Sequence, residues 1–208
     1  MKFEIPKIYP ITDVRLSGLS QTEQAKRLTD GGARIIQFRE KYLGPNEWFD
    51  DACKAVDRCR QNNVISIVND RVDIALAVGA DGVHLGQTDL PPDAARRVLG
   101  HDAVIGYSTH TLEQVRNALE FDIDYLAFGP IFATTTKDDP DAVVGLDLLR
   151  SVREIIGNMP LVAIGGIDLE NAGSVFAAGA DSTAVVRAIV ADGSAISERF
   201  REFAASLV

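Results

Sequence analysis

The sequence predicts one α/β domain, a (β/α)8 TIM barrel spanning residues 1–208, and three observations carry that prediction. Eight short apolar runs, each closed by Gly, Pro, Asn or Asp, alternate with segments of helical period. Gly79-Ala80-Asp81 and Gly179-Ala180-Asp181 each stand where a helix gives way to a strand, as Gly31-Gly32-Ala33 does earlier; this is the pattern of a left-handed helix exit followed by a tight turn. Polar residues that would pack badly in a core collect at the ends of the apolar runs. A doubly wound open sheet is the alternative arrangement of the same alternation.

Taken in order, the strands are expected near residues 7–12, 35–40, 64–69, 82–85, 103–107, 125–129, 161–165 and 182–187, each followed by one helix. Helix starts are legible at Ser20 with Glu23 and at Thr111 with Gln114, where a hydroxyl can cap the first turn and the residue three on can answer it. A third start is read at Asp168, opening an amphipathic run that ends at Gly179. The units average about 25 residues, which demands short loops. One connection is long, from about Pro130 to Val144, and a loop of that size in a barrel is more often a functional lid than idle chain.

Composition narrows the setting. Hydrophobic residues make up 46% and charged residues 25%, an ordinary globular balance. A formal net charge of −9 argues against a nucleic-acid or anionic-membrane partner, so an anionic ligand would need a locally cationic or metal-bridged site. No apolar run reaches the roughly 18 residues of a membrane span, and the opening MKFEIPK lacks the marks of a signal peptide, so a cytoplasmic protein is expected. Cys53 and Cys59 face different directions on one predicted helix and are expected to be buried free thiols.

The stretch from Ile35 to Lys41, IIQFREK, concentrates the functional signal. On a strand Ile35, Gln37, Arg39 and Lys41 share one face, while Ile36, Phe38 and Glu40 share the other. An unpaired buried cation costs several kcal/mol, so a strand ending in Gln, Arg and Lys makes sense if it opens onto an anion. The plain alternative is an edge strand with solvated charges.

In a barrel the strand exits converge on one mouth. They carry Asn69 and Asp70 after strand three, Asp89 after strand four, Ser108 and His110 after strand five, and Thr134, Thr136 and Lys137 after strand six. Asp70 and Asp89 lie at adjacent exits, where two carboxylates could share a hard cation such as Mg²⁺ with a substrate phosphate. Alternatively each is a helix N-cap. Gly165-Gly166 and the exit of strand eight could offer backbone N–H groups to a second phosphate, or form a plain tight turn. His84, in mid-strand, is expected to be a core residue, His110 is open to either role, and His101 needs none. Neither a Ser-His-Asp or Cys-His arrangement nor a CxxC or HExxH spacing is present, so covalent catalysis is not indicated.

With these residues assembled, the chain resembles the thiamine-phosphate synthases over nearly its whole length. The resemblance is carried by QFREK at 37–41, VNDR at 68–71, GVHLGQTD at 82–89, GYSTH at 106–110, FGPIFATTTKDD at 128–139, AIGGI at 163–167 and AVVRAI at 184–189. It implies an enzyme that joins 4-amino-2-methyl-5-hydroxymethylpyrimidine diphosphate to a thiazole phosphate, or its carboxylate, by dissociative substitution, releasing diphosphate. It further implies that Gln37, Arg39, Lys41, Asn69 and Lys137 hold the pyrimidine diphosphate, Ser108 the pyrimidine side, and Asp70 and Asp89 a Mg²⁺ ion. Thr134, Thr136 and Gly166, with the backbone of Val186 and Arg187, are implied for the thiazole phosphate. Lys137, Arg39 and Ser108 would act in catalysis. Two departures stand out: Ala133 where members often carry Pro, and Arg187 where they often carry Ser. Barrels of this family often pair as homodimers. Two rival readings are a thiazole tautomerase and a barrel that binds ligand without turnover; the intact QFREK, TTTK and aspartate pair argue against the tautomerase, which has little use for a diphosphate clamp.

Overall fold

Side-chain parity along eight short strands builds two cores. In the computed structural model, which describes residues 3–136 and 141–207, the strands are β1 (Ile8–Pro10), β2 (Ile35–Phe38), β3 (Ile65–Asn69), β4 (Gly82–Leu85), β5 (Val104–Thr109), β6 (Tyr125–Phe128), β7 (Leu161–Ile164) and β8 (Ser182–Val185). All pair in parallel in the order β1-β8-β7-β6-β5-β4-β3-β2. Ile11 bridges to Gln37, and the Thr12 N–H donates to the Gln37 carbonyl at 2.9 Å, which brings β1 against β2 and nearly closes the barrel. Tyr9, Ile35, Ile67, Tyr125, Val162 and Ala184 fill the lumen. Their neighbours of opposite parity, among them Ile36, Phe38, Val68 and Leu126, join the larger core between strands and helices. The alternation expected of Ile35–Phe38 is therefore the observed one.

The helices are α1 (Val14–Ser17), α2 (Gln21–Gly31), α3 (Pro45–Gln61), α4 (Val72–Val78), α5 (Pro92–Leu99), α6 (Leu112–Ala118), α7 (Gly145–Ile156), α8 (Ala172–Ala177), α9 (Arg187–Val190) and α10 (Ile196–Ala205), with a 3-10 turn at Gly193–Ala195. One helix per strand fails after β1 and β8, where α1 and α9 are added; four residues are too few to show a period. Ser20 and Thr111 cap α2 and α6 by accepting from the Glu23 and Gln114 N–H groups, as expected. Asp168 does not open α8. Its carboxylate accepts from the Glu170 and Asn171 N–H groups in a turn that precedes the helix.

The helix exits at Gly79 and Gly179 are left-handed, with φ of 67° and 102°. The aspartates just before β4, β6 and β8 do more than turn the chain. Asp81 accepts from the Ser66 N–H at 2.8 Å, Asp124 from Ile105 at 2.8 Å and Asp181 from Leu161 at 2.8 Å, each pinning the start of the neighbouring strand at the bottom of the barrel. Arg96 and Arg153 pair with Asp124 and Asp181 respectively. Cys59 is buried, and burial pushes its thiol up to about 12, whereas Cys53 is only partly buried, against expectation, because it sits at the flank of α3. Among the described residues no helix is long and apolar enough to cross a membrane.

Candidate active site

The strand exits open onto one cavity of about 730 Å³. It is lined by every residue singled out from the sequence for a site role except Lys137, which lies outside the described residues.

One wall comes from the exits of β2, β3 and β4. Arg39 is placed by two contacts: its N–H donates to Thr12 Oγ1 at 3.1 Å, and its guanidinium lies 3.4 Å from Asp13 Oδ2. Asp13 is buried, and its other carboxylate oxygen caps α1 through the Leu16 N–H, so this short helix fixes the anion that aims Arg39. Lys41 is ion-paired with Asp70. Asp70 has φ of +63°, and its N–H donates to the His84 carbonyl at 2.8 Å. Such a conformation is uncommon outside glycine and marks sites where geometry is held by the surroundings. Asp89 accepts from the Gly86 N–H at 2.7 Å. Neither aspartate is an N-cap: Arg71 and Pro91 hold those positions of α4 and α5. Burial raises the pKa of Asp89 above the usual carboxylate range, and the neighbouring Asp70 adds to this, while the Gly86 N–H and Lys41 oppose it. Two carboxylates thus crowd one corner of the mouth. Asn69 is buried beside them, with its Nδ2 lacking a hydrogen-bond partner.

Oxygen donors held close together suit a hard cation, and no group of three or more His, Cys, Asp or Glu among the described residues could hold one alone. Asp70 and Asp89 would supply two ligands and rely on a bound anion for others.

The lumen below this wall is polar where the sequence suggested packing. Gln37 Nε2 donates to the Tyr9 hydroxyl at 3.1 Å, and Tyr9 lies 2.8 Å from the Tyr125 hydroxyl. Tyr125 lies 2.9 Å from His84 Nδ1, and His84 Nε2 lies 2.8 Å from Ser108 Oγ. His84 is the buried core residue expected, with both ring nitrogens partnered, and it also links the core to the cavity. Tyr9 and Tyr125 escaped the sequence reading. The signal available was Gly106, paired with Tyr125 in the β5–β6 register, where any Cβ would overlap the tyrosine ring.

The opposite wall is mostly backbone. After β6 the chain keeps pairing with the end of β7, through Ile131 N–H to Ile164 carbonyl at 2.9 Å and Phe132 N–H to Gly165 carbonyl at 3.0 Å. Gly165 and Gly166 take φ of 102° and 63°, and a Cβ on Gly166 would stand 2.5 Å from the Ala133 carbonyl, so both a left-handed turn and close loop packing require glycine here. Asn171 Nδ2 donates to the Gly166 carbonyl at 2.9 Å and fixes that peptide. Thr134 Oγ1 accepts from the Thr136 N–H at 3.3 Å, holding these two hydroxyls together. Val186 occupies the position before α9, and the exposed Arg187 donates to the Thr135 carbonyl at 3.5 Å. His110 contacts this connection at two points, donating from Nδ1 to the Gly129 carbonyl at 2.6 Å, with Nε2 3.5 Å from Asp141.

A model of the thiamine monophosphate synthase family matches residues 8–189. A thiamine-phosphate synthase of Chloroflexus aurantiacus is 47% identical over 186 residues, covering 89% of this chain and 85% of its own. One from Methanospirillum hungatei is 46% identical over 198 residues, covering 94% of this chain and 96% of its own. The solved structure of a thiamine phosphate pyrophosphorylase from Pyrococcus furiosus superposes with a TM-score of 0.86 at 34% identity, covering 97% of this chain and 95% of that one. With the barrel and the mouth it encloses, these matches show that the chain belongs to the thiamine monophosphate synthase family.

Proposed function

We propose that this chain is a transferase that joins 4-amino-2-methyl-5-hydroxymethylpyrimidine diphosphate to a thiazole phosphate, or its carboxylate, giving thiamine phosphate and diphosphate. One observation supports the reading: Gln37, Arg39, Lys41, Asn69, Asp70 and Asp89 line the same cavity as Thr134, Thr136, Gly166 and the Val186–Arg187 turn, a lining suited to two unlike anions. A monophosphate isomerase needs only the second.

In this reading Gln37, Arg39, Lys41, Asn69 and Lys137 hold the pyrimidine diphosphate, with Ser108 on the pyrimidine side. Asp70 and Asp89 would hold Mg²⁺, which when bound neutralises charge on the leaving diphosphate as a Lewis acid. The C–O bond to diphosphate breaks first and its electron pair leaves with the phosphate oxygen. The electron-rich aminopyrimidine carries the resulting methyl cation until the thiazole nitrogen captures it. No base or nucleophile of the protein is required; fixed cations stabilise charge that grows only in the transition state. At an effective dielectric of about 20, one such contact near 4 Å is worth roughly 4 kcal/mol. The Gly166 peptide and the threonines hold the second substrate in line and supply the entropic part of the rate. The reaction belongs in the cytoplasm, in keeping with the free thiols, and a homodimer is the expected assembly.

The test is omission. Purified protein is given both substrates and Mg²⁺ with coupled detection of diphosphate, and each component is left out in turn. Release that needs all three, with a product convertible to a fluorescent thiochrome, supports the synthase. Binding of the thiazole phosphate without any release would move the assignment to an isomerase or a sensor.

A further inference from the structure

Four hydrogen bonds run through the barrel lumen from Gln37 to Ser108, and counting their hydrogens gives the chain a direction. Gln37 Nε2 donates to Tyr9, so the Tyr9 hydroxyl is already an acceptor there and its own hydrogen must go elsewhere. Tyr9 is buried, and the only other hydrogen-bond partner recorded for its hydroxyl among the described residues is Tyr125. Tyr125 then accepts from Tyr9 and donates to His84 Nδ1. In a neutral imidazole the single hydrogen then sits on Nε2, where it donates to Ser108 Oγ. With the Gln37 amide nitrogen facing Tyr9, running the chain the other way, from Ser108 to His84 to Tyr125 to Tyr9, strands the Tyr9 hydrogen in the lumen with no acceptor, an arrangement that native interiors avoid.

We propose that His84 is a positioning residue whose Nε2–H fixes the Ser108 hydroxyl as a hydrogen-bond donor into the cavity, while the far end of the same chain leaves the Gln37 carbonyl oxygen as an acceptor. The two ends match an aminopyrimidine, which offers a ring nitrogen as acceptor and an exocyclic amine as donor. The identity of that ligand rests on the synthase reading; the direction of the chain does not. Two further observations hold the relay in place. The His84 and Tyr125 rings stack at 5.5 Å with planes 18° apart, and the missing Cβ of Gly106 makes room for the Tyr125 ring. Burial holds both phenols well above their ordinary titration range, so each keeps the hydrogen that the relay needs.

The test begins with nitrogen-15 NMR of histidine-labelled wild-type protein, the His84 signals being assigned among the three histidines by their loss in His84→Gln. A protonated Nε2 with a bare Nδ1 is expected, and a proton on Nδ1 would overturn the proposal. Kinetics then separate positioning from packing. A Gln side chain can place its amide where Nε2–H stood and Asn cannot reach, so His84→Asn should raise KM for the pyrimidine diphosphate about tenfold, the cost of one ordinary hydrogen bond, with KM for the thiazole phosphate unchanged. His84→Gln should recover most of that loss. Equal damage by both substitutions, or a loss shared between the two substrates, would overturn the positioning role. If the wild type itself makes no thiamine phosphate, the synthase reading fails, and the tautomer measurement still decides the direction of the chain.

Discussion

Aspartates sit on strand junctions at both ends of this barrel, in opposite surroundings. At the bottom, Asp81, Asp124 and Asp181 each accept from an N–H in the first two residues of a neighbouring strand, and Asp124 and Asp181 also pair with Arg96 and Arg153. At the mouth, Asp70 and Asp89 crowd each other and Lys41 pairs with Asp70; burial, and then the neighbouring Asp70, raise the Asp89 carboxyl. The bottom carboxylates hold the fold. Those at the mouth carry charge that folding leaves incompletely compensated, which is the condition for binding a cation and an anion together. This asymmetry matches the general division of labour in barrels, with chemistry at the C-terminal ends of the strands and stability at the N-terminal ends.

The sharpest way to break the comparison is to exchange the ends. Asp89→Ala is expected to lower kcat/KM by about 10²–10³, as for loss of a preorganised charge contact, and to remove most of the Mg²⁺ dependence while leaving the fold intact. An unchanged metal titration would remove Asp89 from the site. Next comes Gly166→Ala on the backbone wall. The positive φ and the approach of the Ala133 carbonyl should together cost about 2–3 kcal/mol, seen as a raised KM for the thiazole phosphate and a lower melting temperature. An unaltered KM would show that this peptide does not meet the phosphate. Asp124→Ala, at the bottom, orphans the Ile105 N–H and removes one of the two carboxylates paired with the buried Arg96, Asp122 being the other, and denaturant titration should show a loss of about 1–2 kcal/mol, with turnover per folded molecule unchanged. A loss of turnover beyond that of folded protein would erase the division between the ends.

The smallest effect is the most diagnostic. The folded Asp89 has a pKa raised above that of the unfolded chain, so its favourable contribution is full below the unfolded value and is lost as pH rises through the folded one. At neutral pH the ionised carboxylate therefore works against folding. Asp89→Asn should raise the melting temperature by a few degrees at neutral pH, lose that advantage in acid, and remain nearly inactive. A variant less stable at neutral pH would contradict the assignment of strain to the mouth.

What the sequence made legible follows the same line. Charged side chains at strand exits announce themselves, because nothing in a core explains Gln37, Arg39 and Lys41 in step, and the Ser20 and Thr111 caps have side-chain signatures of their own. Devices made from backbone or from absence do not. The four-residue α1 that braces Asp13 is too short to show a period. Asp168 caps a turn where a helix was expected, since the same carboxylate serves either. His84 was legible as a core residue but its link to the cavity was not, because its partners, Tyr125 and Ser108, are brought to it only by closure of the barrel.

The central claim, that the aspartate pair at the mouth is a cation site completed by diphosphate, is tested most directly by calorimetric titration of diphosphate into the protein with and without Mg²⁺. Binding that requires Mg²⁺, persists in Asp124→Ala and disappears in Asp89→Ala is the predicted result. Diphosphate binding of equal strength without the metal, or undiminished in Asp89→Ala, would contradict it.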